Sequence, residues 1–546
     1  MPTIAFSLTD LQHLVGKKLS LEEVQEYAHY GKGDFEASEK DEIKIDFGDT
    51  NLPYLWSVEG FARLIKLVLG KQKGIQKIKI EKGNYKVIVE PSVSKIRPYI
   101  AAFVAKGHKI DDYLIKQIIQ LQEKLCENYG RRRQKIAIGV YQYKKIKFPV
   151  YYKATSPESI KFIPLDYAKE MTQQEILEEH PKGKDYAWIL QGYNKYPIIV
   201  DDKGVVLSFP PIINSATTGK IEEGDEELFF EVTGTELDAI LLAANIFAQA
   251  LYERGFKIYS ADIKYSGKKM TTPCLFNETI KIDKADVKRL IGLDLKDAEL
   301  KKLLEKAGYD VKSQVVIPHY RKDILHPVDV IEDIAIMYGY DEIKEVPLEK
   351  YTVGSTRRMV NIIGKARDVI SGLGYQEIMS PILANKPVLL NNMNIQDFGT
   401  IEIENFMSET YSAVRSWLLP LLLDVLSKNK HAEYPQKIFE QGLVTVRKGD
   451  DIIDYERIAI ASANEKADYT EVKQVLDYLL RMLDIQYTIE EVAHDSFIKG
   501  RVGRVIVKGK KVAFIGEISP KVLKNFGLEM PVVGFELNLS EIFEDK

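Results

Sequence analysis

The chain has 546 residues, 45% of them apolar and 29% charged, which fits a globular protein with length for roughly three to five domains. Its 76 basic and 80 acidic side chains leave a net charge of −4, which excludes a whole-chain electrostatic case for nucleic-acid binding and confines RNA contact to local patches. The two cysteines, Cys126 and Cys274, lie far apart, which argues for a reducing compartment and against a disulfide framework or a cysteine-based zinc site.

The opening MPTIAFSLTD has no basic region followed by an apolar core, so no signal peptide is expected. Residues 1–95 read as a small mixed domain with short helices over Leu8 to Leu14 and Leu21 to Tyr27. Ser57 is placed to cap a helix from Val58 to Leu69, with Phe61, Leu64, Ile65 and Val68 at helical spacing and Gly70 as its stop. Ile78–Ile80 and Tyr85–Val89 alternate like strands, and Lys82-Gly83-Asn84 between them predicts a hairpin.

Residues 96–270 read as one α/β domain. Pro98 to Val104 is strand-like, and Asp111 to Cys126 is helical, with Leu114, Ile118, Leu121 and Leu125 on one stripe. The run Arg131 to Lys135, then Lys144, Lys145 and Lys147, is interleaved with Tyr129, Tyr141, Tyr143, Tyr151 and Tyr152. That mixture fits single-stranded RNA contact; a solvated loop and strand face is the plain alternative. Asn214, Ser215, Thr217 and Thr218 follow a Pro-Pro turn, and no histidine or cysteine nearby in sequence suggests a nucleophilic triad. Leu228 to Val232 is a strand, and Thr235 with Asp238 predicts a capping box for the next helix, ended by Gly255. That helix is the most apolar of the chain. It carries Asp238, Asn245 and Gln249 and is too short to span a bilayer, so a cytoplasmic protein without membrane attachment is expected.

Residues 275–350 hold two short helices, Lys284–Ile291 and Lys296–Ala307, with Asp283 and Asp294 as caps and Gly292 and Gly308 as stops. A strand over Ser313 to Pro318 and an acidic helix follow, a succession that suggests a winged-helix-like module. That helix lies in RKDILHPVDVIEDIAIMYGYD, Arg321 to Asp341. Pro327 suits a first helical turn and keeps His326 out of the helix. Asp329, Glu332 and Asp333 share one face, Val330, Ile331, Ile334, Ala335 and Tyr338 another, and a turn can bring Asp323 alongside the acids. Four carboxylates suit a hard cation such as Mg²⁺, or else form a solvated acidic face near a helix N-terminus.

Residues 355–546 read as a large α+β domain that opens with a helix over Met359 to Ile370. The string GYQEIMSPIL, Gly374 to Leu383, resembles motif 1 of class II aminoacyl-tRNA synthetases in its glycine, aromatic, strand and proline. The strand QKIFEQG keeps Glu440, but Ile438 stands where motif 2 needs an arginine, and VAFIGEISPKVLKNFGLEMPVVGFEL has no arginine for motif 3. Without those cations ATP has no grip, so a catalytic-like fold lacking a synthetase active site is expected.

The Arg321–Asp341 run closely resembles the B5 domain of the phenylalanyl-tRNA synthetase beta-subunit family, in its archaeal and eukaryotic cytosolic form. SVEGFARLIKLVLG, FPPIINS, VTGT, RSWLLPLLL and IKGRVGRVIV resemble segments elsewhere in the same family. The resemblance implies an α+β multidomain chain with an N-terminal mixed domain, a B3/B4-like editing domain, a B5 domain and a class II synthetase-like antiparallel domain without catalytic motifs. It implies Mg²⁺ on Asp323, Asp329, Glu332 and Asp333. It implies an editing pocket that hydrolyses mischarged tyrosyl-tRNA, placed here at Asn214, Ser215, Glu231 and Thr233. It also implies an assembly of two alpha and two beta subunits in which alpha binds ATP and phenylalanine, with the phenylalanine-specific tRNA as substrate. A nucleic-acid adaptor with a degenerate synthetase domain and an Mg²⁺-dependent phosphohydrolase are the alternatives.

Overall fold

The computed structural model describes residues 2–48 and 51–543, which form two compact units, 1–347 and 348–546. Each is a mixture of helices and sheets.

The first unit begins with a three-stranded sheet in the order Thr3–Ser7, Glu42–Phe47, Gly33–Glu39. Ser57 caps the helix Val58–Val68, its hydroxyl accepting from the Gly60 amide at 3.2 Å. This helix is buried on nearly all sides, Glu59 and Arg63 included, because ion pairs satisfy its charges. Arg254 bridges Glu59 and Asp10 at 2.6 Å each, and Arg63 pairs with Glu253 at 2.6 Å. Both links tie the N-terminal segment to the end of the helix Leu237–Glu253.

A ten-stranded sheet dominates this unit among the described residues. Its path runs Ile213–Asn214, Val206–Phe209, Tyr196–Val200, Val150–Thr155, Ile80–Val89, Lys257–Tyr265, Tyr99–Lys106, Glu227–Gly234, Ile136–Gln142, and Lys268–Thr272 pairs with Lys257–Tyr265. The hairpin expected at Lys82-Gly83-Asn84 does not form. Ile80–Val89 is a single strand, parallel to Lys257–Tyr265, with a register shift that absorbs the turn residues as a bulge. Gly83 permits this, since a Cβ there would lie 1.9 Å from the Ser260 carbonyl oxygen.

Leu237–Glu253 packs across Tyr99–Lys106 and Glu227–Gly234. The expected Thr235/Asp238 capping box is absent: Glu236 is the N-cap and gives no side-chain cap. Burial of Ile240, Leu242, Ile246, Phe247 and Leu251 holds the helix instead, each side chain contributing about 1.5–3 kcal/mol. Its polar residues tie it to the next segment. Asn245 donates to the carbonyls of Cys274 and His319 at 2.9 and 3.0 Å, and the Gln249 carbonyl accepts from His319 at 3.0 Å. No helix among the described residues is long and apolar enough to cross a membrane.

Next come helices Lys284–Ile291, Asp297–Lys306 and Pro327–Tyr338 around a small sheet of Thr279–Ile280, Val315–Val316 and Asp310–Val311. Asp283 caps the first of them as expected. Asp294 does not cap the second; it pairs with Lys288 at 2.7 Å, and Glu299 accepts from the Lys296 amide instead.

The second unit is a seven-stranded sheet among the described residues, in the order Gln376–Glu377, Gln436–Lys448, Asp451–Ala463, Val532–Asn538, Lys510–Ile518, Phe497–Val507, Thr488–Glu491. All pairs are antiparallel except the first. Helices Arg358–Gly372 and Tyr469–Met482 cover one face, and Leu419–Lys428 packs on the other.

Candidate functional site

The strand Glu227–Gly234 alternates strictly. Leu228, Phe230 and Val232 enter the core shared with the helices, while Phe229, Glu231 and Thr233 face the other side. The far end of the large sheet comes round to this edge: Arg133 donates to the Ile212 carbonyl at 2.8 Å. A cleft of about 390 Å³ opens between them, and Glu231, Asn214, Ser208, Ile138 and His180 are among its lining residues.

Glu231 is 3% exposed. Its Oε1 accepts from the Tyr141 hydroxyl at 2.9 Å, while Oε2 is buried without a partner. Gly139 lies opposite it on the neighbouring strand, where a Cβ would come within 2.5 Å of the carboxylate. Burial pushes the Glu231 carboxyl up to about 7, and Tyr141 and Arg97 offset only part of that rise. Burial also raises the Tyr141 phenol well above its ordinary range, so it stays a hydrogen-bond donor. The Tyr141 hydroxyl reaches Asn214 Oδ1 at 3.5 Å.

Ser215 and Thr233 do not join this group. The Ser215 hydroxyl accepts from the Thr217 amide at 3.2 Å as an N-cap. The Thr233 hydroxyl accepts from Arg97 Nε at 3.0 Å, and its carbonyl from Arg97 Nη2 at 2.7 Å. Neither residue lines the cleft. The sequence offers Tyr141 only as an aromatic beside the basic run and gives no sign of Gly139 or Arg97, because pairing between distant strands brings all three to Glu231. Of the basic run, Arg133 lines the cleft, stacked 4.2 Å over Tyr186, and Arg131 and Arg132 are exposed.

The four acids of the Arg321–Asp341 run also come together, lining one pocket with Tyr54 and Arg321. Each already has partners. Arg321 donates to Asp323 at 2.5 Å and to Asp333 at 2.6 Å, and Tyr309 gives Asp333 a further short hydrogen bond. Asp329 accepts from the amides of Leu325 and His326 at 2.7 Å each, closing the helix N-terminus, and Glu332 pairs with Lys32 at 3.0 Å. Burial works against the Arg321 charge, but Asp333 and Asp323 outweigh it and hold the guanidinium ionised. A hard dication needs several free oxygens converging on one point. Here Arg321 stands between Asp323 and Asp333, and among the described residues no group of acids, histidines or cysteines is placed to hold a metal. In this arrangement the expected Mg²⁺ set does not fit the ion.

In the second unit Ile438 is buried in the core. Glu440 pairs with Arg415 at 2.5 Å, 1% of its side chain exposed, and accepts from the Ser380 hydroxyl at 2.6 Å. The carboxylate expected of motif 2 is thus committed to internal structure.

Two family models match the chain: the tRNA synthetase B5 domain over residues 280–340 and the phenylalanyl tRNA synthetase beta chain CLM domain over residues 344–539. The phenylalanine–tRNA ligase beta subunit of Thermococcus sibiricus is 41% identical, over 100% of this chain and 99% of its own length. That of Archaeoglobus fulgidus is 38% identical over 94% and 93%. A crystal structure of an N-terminal fragment of the phenylalanyl-tRNA synthetase beta subunit from Pyrococcus horikoshii superposes with a TM-score of 0.60 at 40% identity, covering 62% of this chain and 100% of the fragment. With identity of this order sustained from end to end, the chain belongs to the phenylalanine–tRNA ligase beta-subunit family.

Proposed function

We propose that this chain is the scaffolding and editing half of a phenylalanine–tRNA ligase, paired with an alpha subunit in an assembly of two of each in the cytoplasm. In this reading alpha binds ATP and phenylalanine and charges the tRNA, while the cleft beside Glu231 hydrolyses tyrosine wrongly attached to that tRNA. The chain then divides into an N-terminal domain over 1–95, a B3/B4-like editing domain over 96–270, a winged-helix-like B5 module over 275–350 and a class II synthetase-like domain without catalytic residues over 355–546. The strand Ile80–Val89, inside the first of these spans, pairs in the large sheet.

The observation that carries the editing reading is the unpartnered, buried Oε2 of Glu231 in the cleft wall. A buried acceptor left empty penalises a ligand that cannot fill it. Phenylalanine and tyrosine differ by one hydroxyl. A site that requires that hydroxyl discriminates by about 10⁴ or more, whereas an apolar pocket rejects an added hydroxyl only weakly. Glu231 therefore accepts the tyrosine phenol hydrogen, and Asn214 lies beside it in the cleft wall. The tyrosyl ester is already activated, so an oriented water with donors for the developing oxyanion suffices for hydrolysis. Neither alternative reading has a specific observation in its favour, and the acids a phosphohydrolase would use are committed to Arg321, Tyr309, Lys32 and backbone amides.

The test is deacylation of preformed tyrosyl-tRNA by the complex with the alpha subunit. Glu231→Ala should slow it about 100-fold while leaving phenylalanine charging intact. An unchanged rate removes Glu231 from the site, and no hydrolysis by the wild type removes editing itself.

A further inference from the structure

The seven-stranded sheet carries, on the face away from helices Arg358–Gly372 and Tyr469–Met482, a pocket of about 370 Å³ that the reading above leaves unused. Ile458 and Val505 point into the helix-covered core, so their neighbours Arg457 and Arg504 project from the opposite face. Lys511 joins them at the pocket wall.

One acid, Glu536, faces these three cations among the described residues that line the pocket. It is already shared: Oε1 takes Arg457 at 2.9 Å, and Oε2 accepts from the amides of Leu418 and Leu419 at 2.8 Å each. Arg504 donates to the Lys511 carbonyl at 3.0 Å and stacks 3.9 Å over the Phe514 ring. The Nε of Arg457 and the Nε of Arg504 are both buried without a partner. Burial and the nearby Arg457 charge both press the Arg504 pKa down, the mark of a positive cluster short of an anion. Aromatic rings form the rest of the wall. His494 sits 4.3 Å from the Phe514 ring centre and 6.4 Å from that of Trp417, and Phe398 lies 6.2 Å from Trp417.

We propose that this pocket binds a mononucleotide, its phosphate on Arg457, Arg504 and Lys511 and its base against Trp417, His494 and Phe514. The surplus of two positive charges matches a phosphomonoester, which carries about −1.5 to −2 at neutral pH. Arginine N–H groups suit phosphate oxygens, and flat rings suit any base. The volume is within the usual range for a small-ligand site, about 300–1,000 Å³. The site is one of binding, separate from the editing cleft, and no bond changes in it. The same chemistry is offered by a free nucleotide and by the terminal nucleotide of an RNA.

Isothermal titration of the full-length chain with AMP, adenosine, inorganic phosphate and a short 5′-phosphorylated RNA tests the proposal. AMP should bind at least about tenfold more tightly than adenosine or phosphate. Arg504→Met and Lys511→Gln should each weaken AMP about tenfold or more; Lys511 is exposed, so its variant keeps the fold. Displacement of AMP by the RNA assigns the site to a nucleic-acid end, and AMP binding without RNA competition assigns it to the free nucleotide. Absence of saturable AMP binding, equal affinity for AMP and phosphate, or unchanged affinity in both variants overturns the proposal.

Discussion

Glu231 is a carboxyl whose setting is readable as a pH dependence. Its pKa rises from 4.5 to about 7 on folding because burial penalises the charge. Between those values the folded chain keeps a proton that the unfolded chain has released, so stability falls as pH rises through that window. The loss approaches about 3 kcal/mol once pH exceeds 7. Glu231→Gln removes this titration. Its melting temperature relative to wild type should therefore climb between about pH 5 and pH 8, a trend calorimetry can follow. Thr233 has a different role. Its hydroxyl holds Arg97, so Thr233→Val should lower stability by about 1.5–3 kcal/mol, the worth of a hydrogen bond to a charged group. A denaturant titration alongside the deacylation assay checks this, and a selective loss of hydrolysis with stability intact would contradict it. Arg321 supplies the positive charge expected of a metal. Arg321→Met leaves the Asp323 side chain, 5% exposed, and the partly buried Asp333 without a counter-ion and should cost about 3 kcal/mol, whereas a chelator should leave the wild-type melting temperature unmoved. A clear drop on chelation would restore the ion.

At the scale of elements, local signals and sheet pairing compete. Gly83 carries a strong turn signal, yet its lack of a side chain is used for close approach to the Ser260 backbone rather than for a hairpin. Gly83→Ala forces that contact apart and should destabilise by about 1–3 kcal/mol, measurable as a shifted urea midpoint with an unchanged slope. The helix Pro327–Tyr338 shows the opposite case, where local signals suffice. His326 precedes the proline with extended backbone, Asp329 folds back on two amides, and Gly339 ends the helix at φ 101°.

At the scale of the molecule, the second unit commits the charges of its sheet to internal structure. Ile438 fills core space, and Glu440 is neutralised by Arg415. Phenylalanine-dependent ATP–pyrophosphate exchange should therefore be undetectable with the isolated chain and appear when the alpha subunit is added. Robust exchange by a preparation free of alpha would overturn the division of labour proposed here.

The sequence by itself determined the helices with strong caps and stripes, among them Val58–Val68 and Pro327–Tyr338, because capping and amphipathic spacing act within a few residues. It also carried the family, through motifs spread over the whole chain, and it placed Glu231 and Asn214 among the candidates that do line the cleft. Only the tertiary structure decided what each candidate side chain faces. Thr233 and Glu231 stand two residues apart on one strand face, yet one meets Arg97 and the other meets Tyr141 and open space. The acids of Pro327–Tyr338 could have framed a cation, but Arg321 and Lys32 reached them first. Arg457 and Arg504, 47 positions apart by their numbers, reach one pocket because their strands, with Val532–Asn538 and Lys510–Ile518 between them, present both side chains on the same sheet face. Spacing along the chain governs what neighbours within a turn can do; contacts between distant strands depend on register and burial, which no local pattern encodes.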